Sequence, residues 1–353
     1  MDADVVIPAI TSVLASVMAI ALVDQWRDRR RGYQLVWALG MAFFAAAVAC
    51  EAIAAASGWS EPLYRIWYLT GAVWTAGWLG LGTAYLLGRT RFGWGFALCL
   101  FLAGLFTFLT ARRDPELYAD AWTAAMLYFL AAGVLALAVS VETYFQNWRW
   151  PWLALLAVGG ATLLSFVFMA VAVLPQPGYA LDPGTGVPTA AILPPQLRLL
   201  TPFMNVTGAF ALILGALFSA YVFMPKRRLL AYSLDPGQPG DEFLFNLFIA
   251  PVAISVNFLA SLPGAVRALL SGRIHSRVPA TILIALGAFV PAVTDSLNRF
   301  GSTEWFQLGK LLGAVLLLAG FLVSTETFSE VRVPFTSIVL RAARREAREA
   351  AEH

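Results

Sequence analysis

Residues 241–271 read DEFLFNLFIAPVAISVNFLASLPGAVRALLS. The run is long and apolar enough to cross a bilayer, yet Asn246, Pro251, Asn257 and Pro263 interrupt it. Each crossing reverses the chain, so this segment decides the orientation of everything after it. A bilayer core about 30 Å thick needs about 20 apolar residues in a helix. Runs of that kind lie at about residues 5–23, 34–56, 65–88, 93–111, 122–142, 152–174, 199–224, 278–296 and 305–324. Positive charge gathers on the inner side of such spans. If 241–271 does not cross, four of the 24 lysines and arginines (Arg112, Arg113, Arg198 and Arg299) fall outside. Arg65 and Lys310 then lie within spans, and the remaining eighteen fall inside. That asymmetry predicts an all-α polytopic protein with nine crossings, N-terminus out and C-terminus in, and 241–271 re-entrant or interfacial on the inner side.

Composition agrees. Hydrophobic residues make up 59% of the chain and charged residues 13%, with a mean hydropathy of +0.73. A soluble domain carries roughly a quarter charged residues, so water-soluble classes are set aside. The pI near 9.0 does not point to nucleic acid, because the basic residues sit in short loops between apolar runs. Asp2 and Asp4 precede the first apolar run and Arg27, Arg29, Arg30 and Arg31 follow it, the reverse of a secretory signal. Residues 1–324 read as one transmembrane domain. Residues 325–353 read as a cytoplasmic tail whose end, IVLRAARREAREAAEH, has the pattern of a basic amphipathic helix for the inner leaflet or a partner. Residues 175–198, rich in Pro and Gly, form an outer loop, read as an extended tether in preference to a cover over an outer opening.

Two blocks carry a resemblance. They are GWSEPLYRIWYLTGAVWTAGWLGLGTAYLLG (58–88) and the pair LTPFMNVTGAFALILGALFSAYVF (200–223) with residues 282–324. Their glycine and aromatic spacing, over roughly half the chain, resembles a family of uncharacterised bacterial membrane proteins of about seven helices; the likeness implies architecture and no activity. Residues 122–174 look like a hairpin added to that pattern. The resemblance implies a bacterial cytoplasmic membrane.

Small residues let membrane helices approach closely. Gly309 and Gly313 form a GxxxG with Gly320 one heptad on, and Gly208, Ala211, Gly215 and Ser219 form a second stripe. Gly71, Gly77, Gly80 and Gly82 alternate with Trp67, Tyr68, Trp74 and Trp78, which reads as close packing or, alternatively, as an aromatic-lined pocket for a lipid, quinone or carotenoid. No cofactor is expected. The only histidines are His275 and His353, which leaves no intramembrane pair for haem. No metalloprotease, P-loop or serine-hydrolase motif occurs, so nothing argues for an enzyme. Cys50 and Cys99 fall at different depths and are expected to be unpaired.

Ionisable groups inside a membrane are costly and invite a functional hypothesis. Glu51, Arg65, Asn205, Asp295 and Lys310 come from five spans and share one layer about 0–9 Å below the outer boundary. One reading has Lys310 and Arg65 snorkelling, or pairing with Glu51 and Asp295 to fix helix packing. The other is an outward-facing site in which Glu51 and Asp295 accept or carry protons, Arg65 and Lys310 contact an anion and Asn205 hydrogen-bonds. A retinal lysine is disfavoured: Lys310 is shallow and residues 65–88 carry no carboxylate counter-ion. The functional expectation is a sensor or accessory subunit of a membrane assembly, meeting a protein partner or a second copy through the small-residue faces or the basic tail. A secondary transporter using the polar layer is the alternative.

Overall fold

A computed structural model describes residues 3–184, 186–233, 240–271, 277–299, 304–323, 330–332 and 339–341. It is predominantly helical. In chain order the helices are α1 (Ala3–Arg29), α2 (Gly32–Ser57), α3 (Glu61–Trp67), a π-helical segment (Tyr68–Trp74), α4 (Thr75–Leu86), α5 (Gly93–Arg113), α6 (Trp122–Tyr144), α7 (Trp150–Val171), α8 (Pro195–Phe223), α9 (Gly240–Leu270), α10 (Arg277–Arg299) and α11 (Glu304–Val323). A single 3₁₀ turn, Ala119–Ala121, leads into α6. Eight helices (α1, α2, α5, α6, α7, α8, α9 and α11) contain stretches long and apolar enough to cross a membrane. The span expected at 65–88 is the rod α3–π–α4, and α10 is apolar only over Val278–Pro291.

The helices start and stop where their sequences allow. Prolines occupy the first turns of α3, α7 and α8, where no intrahelical N–H is lost. Gly58 ends α2 at φ +88°, a backbone conformation open to glycine. Residues such as Leu127, Leu130, Val134 and Leu137 on α6 and Leu156, Leu163 and Phe166 on α7 are exposed, the apolar surface expected of helices bathed in lipid.

Close contacts give each rod a direction. Gly82 meets Trp37, Gly40 meets Leu79 and Gly71 meets Ala47, so α2 runs antiparallel to the α3–π–α4 rod. Gly77 meets Met204, Gly80 meets Gly208 and Gly215 meets Thr83, so α8 runs parallel to that rod. Gly309 meets Thr294, Gly313 meets Pro291 and Gly320 meets Ile284, so α10 and α11 are antiparallel. Trp37 of α2 packs edge-on against Phe321 of α11 at 4.8 Å, while Glu51 of α2 reaches Lys310 of α11. One end of the bundle therefore holds Trp37, Thr83, Ser219, Thr281 and Phe321, and the other holds Glu51, Trp67 and Lys310. The last turns of α8 and the first turns of α10 share the Trp37 end, where both line one small cavity.

α9 stands apart from this alternation. It is one unbroken helix through Pro251 and Pro263, over the stretch expected to be re-entrant or interfacial. A re-entrant loop needs a break for its turn. Here an extended strap supplies the partners that the polar residues need. Asn257 accepts hydrogen bonds from the N–H groups of Leu229 (2.7 Å) and Leu230 (2.9 Å) and donates to the carbonyl of Leu230 (2.8 Å). Ser261 accepts from Arg227 N–H at 2.9 Å and Asn246 from Ser233 N–H at 3.3 Å. Asn257 and Ser261 are buried under this strap while Phe248, Val252, Leu259 and Val266 face outward. Each such bond contributes about 1 kcal/mol, and an unmade buried one costs about 1–3 kcal/mol. Asn257→Leu is accordingly expected to speed hydrogen exchange at the Leu229 and Leu230 amides by about tenfold or more, leaving the α4–α8 amides unchanged. Equal exchange in both proteins would show that the strap is held by something else.

Two further expectations change. Residues 175–198 are not an extended tether. Asp182 N–H bonds Val187 O and Thr189 N–H bonds Ala180 O around a bridge between Leu181 and Pro188. Leu174 and Leu193 are buried in the core, and the fully buried Tyr64 donates its hydroxyl to Thr189 O. At the tail, Val339–Arg341 form a β-strand (β2) antiparallel to β1, Glu330–Arg332, rather than part of a helix. β-branched Val339 suits a strand; residues 342–353 of the expected amphipathic helix lie outside the described residues. Both cysteines are free and buried.

Candidate functional site

Glu51 sits near the C-terminal end of α2, with a side chain 9% exposed. Its carboxylate accepts four hydrogen bonds from three donors. Lys310 Nζ lies 2.6 Å from Oε1 and 2.7 Å from Oε2. Trp67 Nε1 donates to Oε1 at 2.9 Å and Gln307 Nε2 donates to Oε2 at 3.0 Å. Three separate elements, α2, α3 and α11, thus meet on one acid.

Lys310 does not snorkel. Its side chain is 14% exposed, and its ammonium also lies 3.7 Å from the centroid of Phe306. A snorkelling lysine gains water; this one gains a bidentate carboxylate and an aromatic face, which offset the loss of hydration.

Of the four residues of the shared layer whose side chains are described, only Glu51 and Lys310 meet. Arg65 turns elsewhere: Nε and Nη2 donate to Glu61 Oε1 at 2.9 and 2.6 Å, Nη2 donates to Ala172 O at 2.7 Å, and Nη1 donates to Met169 O. These carbonyls belong to the last turn of α7, where a cation offsets the helix dipole. Asn205 is half-buried on α8 and is not a partner of Glu51. Asp295 lies on α10, with its side chain outside the described residues. Trp67, Gln307 and Glu61 were missed. Gln307 precedes Lys310 by three residues, so helical spacing places both on one face. Glu61 precedes Arg65 by four, the same signal. Nothing in the sequence points Trp67 at Glu51.

That last contact depends on the π-helical segment. The wider turn changes the face presented before and after it. Trp67 ahead of it reaches α2, whereas Trp74 at its end donates to Ser165 Oγ (2.8 Å) and Trp78 donates to Thr162 Oγ1 (3.1 Å), both on α7. Tyr68 shares a hydrogen bond with Thr201 at 2.7 Å. The polar atoms of the aromatic series are thus occupied by protein partners. At the opposite end, Trp37 Nε1 donates to Leu79 O at 3.0 Å, beside a cavity of about 20 Å³ lined by Thr83, Ser219 and Thr281. That volume is close to the minimum for one water molecule.

All five packing glycines lie at tight contacts. A Cβ on Gly208 would fall on the Ala76 carbonyl, one on Gly215 on Thr83, one on Gly309 on Thr294 and one on Gly313 on Pro291. At Gly320 it would stand 2.8 Å from Ala280 O. Among the described residues no group of three His, Cys, Asp or Glu side chains gathers to hold a metal. Compared with known proteins, the chain matches no family model, no curated protein and no solved structure.

Proposed function

We propose that the chain is a non-catalytic, multi-pass protein of a bacterial cytoplasmic membrane that serves as a sensor or as an accessory subunit of a larger assembly. It crosses nine times, N-terminus out and C-terminus in, with α9 lying at the inner interface. Support for that path comes from the shared end of α8 and α10: the chain between them returns to the side it left. The observation that carries the functional reading is the saturation of Glu51. Lys310, Trp67 and Gln307 fill both carboxylate oxygens, as in a structural joint between helices rather than a site awaiting an ion. A transport reading draws on one specific feature, the π-helical turn beside this joint together with a buried Gln307 Oε1 that has no partner. Partners meet the protein through the basic tail, since α4 and α10 fill the small-residue faces of α8 and α11 within the chain.

Purification from native membranes in a mild detergent tests this. A stoichiometric protein partner, identified by mass spectrometry and retained through size exclusion, is the expected result. Recovery of the chain alone, with a flux in reconstituted vesicles that Glu51→Gln abolishes without loss of folding, would replace it with the transporter.

A further inference from the structure

Where the strap meets α9, the chain forms an open cavity of about 320 Å³. Pro225, Lys226 and Arg227 line it from the strap, and Pro263, Gly264 and Arg267 from α9. No lining residue is acidic, and no described carboxylate is bonded to the three cations. Lys226 rests against Tyr221, with Nζ 5.5 Å from the ring centroid. The guanidinium of Arg227 is free of the strap's bonding, because only its backbone N–H binds Ser261.

The cavity borders an apolar face. At about 100° per residue, Leu259, Leu262, Val266 and Leu270 lie on the flank of α9 next to Pro263 and Arg267. All four are exposed. A concave cluster of three cations beside an exposed apolar stripe matches a molecule that is anionic at one end and apolar along its length.

We propose that this cavity binds the phosphodiester headgroup of an anionic phospholipid, with its acyl chains laid along the Leu259–Leu270 face of α9. The site needs no particular reading of the Glu51 joint and is independent of the sensor or subunit role. Each cation near a lipid phosphate contributes on the order of a fivefold gain in affinity, so the three together contribute about 100-fold.

The test uses the purified full-length protein and native mass spectrometry, with phosphatidylglycerol titrated against a phosphatidylcholine background. Wild type is expected to retain phosphatidylglycerol selectively. The K226Q/R227Q/R267Q variant is expected to bind it about 100-fold more weakly, and R267Q alone about fivefold. R112Q/R113Q, at the far end of α5, is expected to bind as wild type does. Inorganic phosphate at millimolar concentration is expected not to displace the lipid. Equal retention by wild type and R267Q, or displacement by phosphate alone, would overturn the proposal.

Discussion

Lys310→Met is expected to destabilise the protein by about 3–5 kcal/mol, the cost of leaving one member of a buried ion pair without its partner. Glu51 would then keep only Trp67 and Gln307 as donors in a site that is nearly buried. Glu51→Gln is expected to be comparably harmful, since Lys310 would lose the opposing charge and retain only a neutral amide oxygen and the Phe306 ring. The double variant E51Q/K310M removes both charges at once and is expected to recover most of the loss. Buried pairs replaced by neutral groups are often close to neutral in stability, because desolvation of two charges roughly cancels their attraction. Thermal unfolding in detergent of the four proteins closes a double-mutant cycle. A coupling near zero, with both single variants as stable as wild type, would mean that water reaches the pair and that it is an open site rather than a joint.

Gly208→Leu is expected to prevent stable folding. At Gly208 the α8 backbone passes against Ala76 and Gly77, and a Cβ on Gly80 would itself come within 2.5 Å of Gly208 Cα. The obstruction on both sides is backbone, which cannot rotate away as a side chain can. Even Gly208→Ala is expected to cost about 3 kcal/mol, at the upper end of what overpacked cores show. Gly133→Ala and Gly160→Ala provide the contrast. Nothing lies within 4 Å of the added Cβ at either position, and both glycines are inside helices. These two are expected to be neutral or to stabilise by up to about 1 kcal/mol, through helix propensity alone. Expression and melting temperature in detergent distinguish the two classes. If Gly208→Ala behaves like Gly160→Ala, α4 and α8 are farther apart than described.

The polar layer shows how far depth alone can go. Placing Glu51 and Lys310 at one level needed only span boundaries and the rise per residue. Depth cannot choose neighbours around the bundle, however. Arg65 shares that level yet serves the end of α7, because Glu61 one turn away and the carbonyls of Met169 and Ala172 are nearer. Asn246 and Asn257 illustrate the converse. In the sequence they looked like polar residues stranded in a membrane run; folded, they hold a strap whose own sequence, KRRLLAYS at 226–233, gives no hint of being bound.

The sequence by itself determined that the chain is a helical membrane protein and which faces of α8 and α11 are lined with small residues. Both follow from one-dimensional quantities: the length of apolar runs and the spacing of glycines along a helix. Only the tertiary structure decided that α8 packs directly against the α3–π–α4 rod, that Trp67 and Gln307 complete the shell of Glu51, and that α9 is unbroken. Those depend on the rotation of each helix about its axis and on the extra width of a π turn. Such rotations are fixed by packing between residues far apart in the chain, as Glu51 and Lys310 are, and no local pattern encodes them.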